Sequence, residues 1–67
     1  MSNPATTAAE LSAAAEAVGS YQRRVGGLAA DFREGERDDL VSAIYEAERS
    51  LVIAERTIRR ALRLAGS

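Results

Sequence analysis

Residues 40–65 read LVSAIYEAERSLVIAERTIRRALRLA and place Leu40, Ile44, Ala47, Leu51, Ala54, Ile58, Ala61 and Ala65 at alternating steps of four and three. That spacing keeps returning to one side of an α-helix, as a heptad seam does, and it lacks the every-second-residue alternation of a strand. Within the seam, Ile44, Leu51 and Ile58 are seven apart, and the positions between them are Ala47, Ala54 and Ala61. Large beside small lets a neighbouring helix approach closely, with its own side chains filling the space that each Ala leaves. A second apolar patch, Val41, Tyr45 and Val52, lies about a quarter-turn round the helix. Leu62 borders the seam, while Ile53 and Leu64 point to a further side. One partner helix covers a stripe of limited width, so an apolar arc this wide predicts more than one neighbour.

Upstream, Leu11, Ala14, Val18, Tyr21, Val25, Leu28 and Phe32 recur at steps of three and four. This second seam predicts one helix over about 7–33. It crosses Gly19, Gly26 and Gly27 without losing phase, although each interior Gly costs about 1 kcal/mol relative to Ala. A break at Gly26-Gly27 is the alternative. Thr7-Ala8-Ala9-Glu10 matches a capping box, and residues 1–6, with Pro4 among polar neighbours, read as a flexible arm. Gly35 is placed to end the first helix in a left-handed cap. A turn of about 34–38 leads to Asp38 or Asp39, either of which suits the cap of a second helix over about 39–64. So short a connection makes the helices antiparallel neighbours. The expected fold is an all-α, antiparallel two-helix hairpin.

Sixty-seven residues make one small domain, and a chain of that size rarely buries a secure core by itself. The expected remedy is pairing with a second copy into a homodimeric four-helix bundle. The formal charge of −1 hides a marked segregation. Residues 1–30 are neutral, residues 31–48 sum to −5 and residues 49–67 to +4. A hairpin so charged has an acidic tip and a basic open end, which favours antiparallel packing of two hairpins over parallel packing.

The absences restrict chemistry. With no Cys there is no disulfide framework and no thiolate metal site. With no His there is no Ser-His-Asp triad and no imidazole ligand. The acidic run Asp31 to Asp39 has Arg33 where a calcium loop needs an oxygen ligand. No catalytic, cofactor-binding or metal-binding residue is therefore expected, and an enzyme is not the expected class.

Two partner surfaces stand out. Val41, Tyr45, Val52 and Leu62 are the expected contacts to a second copy or a helical client protein. Arg49, Arg56 and Arg63, spaced by seven, form a stripe with Arg59 and Arg60 beside it. That stripe is a candidate face for an anionic partner. Nucleic acid is the poorer fit, because the chain has no Lys, no long basic run and a sequence pI near 5.3. The longest apolar runs are too short for a membrane span. The N-terminal residues carry no secretory pattern, so the cytoplasm is the expected compartment. Abundant Ala with Arg as the only basic side chain fits a GC-rich bacterial coding sequence. The expected function is a small, non-enzymatic scaffold or adaptor.

Overall fold

The computed structural model describes residues 3–66. Two helices, α1 (Pro4–Leu28) and α2 (Asp38–Ala65), pack against each other as a hairpin, with a short 3-10 turn at Ala29–Asp31 between them. No strand occurs among the described residues.

The N-terminus of α1 differs from the capping-box expectation. The Asn3 side chain caps the helix by accepting from the Ala5 N–H at 2.8 Å. Pro4 occupies the first helical position, where its missing N–H removes a donor that had no intrahelical partner anyway. Thr7 already donates its backbone N–H to the Asn3 carbonyl at 2.9 Å, so it lies inside the first turn and is no cap. Residues 4–6 of the expected arm are thus helical, and residues 1–2 lie outside the described residues.

α1 passes through Gly26 and Gly27 without a break and ends at Leu28, five residues short of the expected limit. The 3-10 turn tightens the chain and buries Ala29, and Phe32 leaves it in an extended conformation with its side chain half-buried.

Gly35 does adopt a left-handed conformation (φ 83°), but in the loop and not as the cap of α1. It is the third residue of a turn closed by Glu36 N–H donating to the Arg33 carbonyl at 3.0 Å. A positive φ at that position marks a type II turn, which favours Gly. Arg37, also left-handed at φ 50°, precedes α2 and makes no side-chain cap. The cap position falls to Arg37 and not to Asp38 or Asp39, which are the first two residues of the helix. There their charges oppose the positive end of the helix dipole.

The hairpin measures 50 × 17 × 13 Å, with a radius of gyration of 15.5 Å. A compact domain of this length has a radius near 11 Å. The only buried apolar residues among those described are Ala15 and Ala29, and no large side chain is fully buried. The two helices hold one another along a narrow line and enclose no core.

Candidate interaction surfaces

That line is built from small residues of α1. Ala15, Gly19 and Ala29 are buried, and Ala8, Gln22 and Gly26 are half-buried. Opposite them stand Glu48 and Glu55 of α2. A methyl group built on Gly19 would meet Glu55 Oε1 at 3.1 Å, and one built on Gly26 would land on the Glu48 carboxylate. Gln22 Nε2 donates to Glu48 Oε2 at 2.9 Å, and Arg59 Nε donates to Glu55 Oε2 at 3.1 Å. Two glycines seven apart therefore receive two glutamates seven apart, each with a polar partner that offsets its partial loss of water.

These contacts set the rotation of both helices, and the seams are not where direct pairing would put them. At about 100° per residue, Ala14, Tyr21 and Leu28 sit roughly 100° round α1 from the contact line, with Leu11, Val18 and Val25 between. On α2, Ala47, Ala54 and Ala61 sit a similar angle from the line through Glu48 and Glu55, with Leu51 and Ile58 between. Two antiparallel helices are related by a two-fold axis perpendicular to their common plane. Equal rotation in the same sense therefore carries both sets to the same broad face of the hairpin. Tyr21 is 56% and Leu28 50% exposed there, and Ala14 and Ala47 are exposed too. Val18, Val25, Ile44, Leu51 and Ile58 are half-buried at the inner edges of the seams, while Tyr21 and Leu28 at the outer edge of the α1 seam open to one side.

The seam positions on this face are uncharged, and Glu10, five full turns before Leu28, lies at its margin. Arg24 edges it, with its guanidinium carbon 5.5 Å from the centre of the Tyr21 ring, a cation–π distance. Tyr21, Arg24, Val25 and Leu28 line an open cleft of about 400 Å³.

The opposite broad face carries the other candidates. Val41 and Val52 are half-buried there and Tyr45 is 54% exposed, whereas Leu62, seven residues after Glu55, is half-buried along the line that faces α1. Arg49 and Arg56 are exposed and line an open cleft of about 620 Å³ with Tyr45, Glu48, Val52 and Ile53. Arg59 is half-buried and engaged with Glu55, with Arg59 Nη2 at 3.0 Å from the carboxylate. Arg60 and Arg63 are exposed towards the open end. Arg59, beside the stripe of Arg49, Arg56 and Arg63, is thus paired with Glu55 of its own helix.

Folding also tempers the charge segregation. It sets Arg23, Arg24 and Arg49 in the half of the hairpin nearer the acidic tip, and Glu10 and Glu16 in the half nearer the basic end. The outermost turns keep the contrast: residues 31–39 sum to −3, and residues 1–10 with 57–67 sum to +2.

Sequence reasoning missed Gln22, Glu48 and Glu55 as contacts between the helices. The available signal was the matched spacing of Gly19 and Gly26 against Glu48 and Glu55. Among the described residues, no group of three or more acidic side chains is placed to hold a metal ion, and no helix is long and apolar enough to cross a membrane. Compared with protein-family models, curated proteins and solved structures, the chain matches none.

Proposed function

We propose that this protein is a non-enzymatic scaffold or adaptor that works by self-association and by contact with other proteins. The observation that carries this reading is the missing core. The hairpin exposes 5168 Å², whereas a compact monomer of its mass exposes about 4,100 Å². The excess of roughly 1,000 Å² exceeds the ~800 Å² that each partner buries in a standard protein interface. A chain with so little buried apolar surface gains stability by covering more of it, and a second copy is the partner always at hand.

Sedimentation velocity combined with far-UV circular dichroism across a concentration series tests this. The expected result is a helical dimer at low micromolar concentration whose melting temperature rises with protein concentration. A helical monomer with a cooperative, concentration-independent melt would overturn the reading.

A second reading rests on Arg49 and Arg56, exposed beside Tyr45 and Ile53 on the side away from the seams. Cationic and apolar groups so mixed suit an acidic helical client. Charge reversal at Arg49 and Arg56 distinguishes the two. It leaves self-association intact, and it abolishes client capture only if capture depends on these arginines.

A further inference from the structure

The self-association reading leaves open which face is covered and in which direction. We infer that a second copy of this chain seats on the broad face formed by Val18, Tyr21, Leu28, Leu51, Ala54 and Ile58, with the two hairpins running tip to open end. The inference rests on the self-association reading and sharpens it.

Three observations converge on this face. The first is composition. Both seams open onto it, and the charged side chains that border it, Arg24 beside Tyr21 and Glu10 in line with Leu28, lie at its margin, where they can keep contact with water. The opposite face would bury Arg49, Arg56 and Glu48. The second is area. A hairpin 50 Å long and 17 Å wide presents a flat side of roughly 850 Å², which matches the share of one partner in a standard interface. The third is relief. Ala47, Ala54 and Ala61 are depressions between the larger Leu51 and Ile58.

Direction follows from symmetry and charge. In a face-to-face stack, the tip-to-open-end arrangement lays α2 against α2 of the second copy and α1 against α1. The Ala-rich line of α2 then meets its own copy, and the large residues of each fill the gaps of the other. Tip-to-tip stacking would instead lay α2 on α1. It would also crowd two −3 turns at one end, while tip-to-open-end stacking sets each beside a +2 end. The contacts of Gly19 with Glu55 and Gly26 with Glu48 put Tyr21 at the level of residues 53–54, so Tyr21 and Ala54 lie near the middle of the assembly.

Two tyrosines of equal exposure on opposite faces make a matched test. Tyr21→Glu is expected to raise the dimer dissociation constant by ~100-fold or more, because two-fold symmetry buries the new charge twice. Tyr45→Glu is expected to change it by less than about threefold. The natural chain contains no Cys, so single cysteines report direction cleanly. Ala54→Cys should cross-link to itself with a short bis-maleimide, and Glu34→Cys at the tip should not. Dissociation by Tyr45→Glu with Tyr21→Glu still dimeric would overturn the chosen face. Efficient cross-linking through Glu34→Cys but not Ala54→Cys would overturn the direction. Either result leaves self-association standing, whereas a monomeric parent protein removes it. If Tyr21→Glu loses its helical signal, the Ala54→Cys and Glu34→Cys pair decides alone, because both keep the apolar face nearly native.

Discussion

The Glu48 carboxylate lies across the backbone of Gly26, and Gln22 on the next turn of α1 donates a 2.9 Å hydrogen bond to it. A helix-disfavouring residue in the last turn of α1 thus makes room for a polar side chain from α2. This bears on why a helix should carry Gly at that position at all. An Ala at Gly26 would gain about 1 kcal/mol of helix propensity. It would also push the carboxylate off Gln22, forfeiting a bond of about 0.5–1.5 kcal/mol.

The two effects are expected to cancel in Gly26→Ala alone and to separate in a double-mutant cycle. In a Glu48→Ala background, Gly26→Ala should stabilise by about 1 kcal/mol, a coupling of about that size. Urea unfolding at fixed protein concentration measures it. Additive single and double variants would show that the two residues are energetically independent.

The glycines on either side of the tip make opposite predictions. Gly27 is helical and exposed, with open space where a side chain would go. Gly27→Ala should raise stability by about 0.5–1 kcal/mol. Gly35, at φ 83°, has equally open space, yet Gly35→Ala should lower stability by about 1 kcal/mol, because the strain is in the backbone. Thermal melts of the pair, read against the parent, check both signs.

At the far end, Asn3 holds the first turn of α1 through the Ala5 N–H. Asn3→Ala should cost about 1 kcal/mol, most of it as fraying of that turn. Amide hydrogen exchange should quicken at Ala5 and Thr6 while residues near Gly19 keep their protection. Unchanged exchange at Ala5 would remove the cap from the account of where α1 begins.

The Arg37 guanidinium beside Asp39, 3.3 Å from Nε to Oδ1, holds the Asp39 carboxyl below its ordinary range. The Leu40 backbone N–H adds to the effect. A depressed carboxylate stabilises the fold at pH above the ordinary aspartate value. That contribution fades as pH falls through the lowered one. Because the pair is fully solvated, the expected signature is local. In an NMR titration, Arg37→Gly should move the Asp39 midpoint upward, and added salt should shrink the difference. A midpoint insensitive to Arg37 would assign the shift to the helix terminus.

Much of this molecule is legible in the order of its residues. The three-four recurrence from Leu40 to Ala65 and from Leu11 to Phe32 determines two helices, because only a helical period returns those side chains to one side. The short polar stretch with Gly35 between them determines that they turn back on each other. The absence of Cys and His closes whole classes of chemistry before any fold is considered.

Rotation about the helix axes was not legible in the same way. A seam identifies which residues share a face, but not what that face meets. Contact between α1 and α2 is decided by fit between surfaces. Small Ala15, Gly19, Gly26 and Ala29 allow close approach, Glu48 bridges it to Gln22, and Glu55, paired with Arg59 of its own helix, lies over Gly19. Those residues do not stand out in one dimension, since their value depends on what lies opposite. Once they set the rotation, Tyr21 and Leu28 are carried away from α2 and out to the open face. The sequence by itself determined the helices, the turn and the breadth of apolar surface. Only the tertiary structure decided that the outer edges of the two seams open on one broad face while Val41, Tyr45 and Val52 lie on the other, because that outcome depends on the packing of two chain segments far apart in sequence.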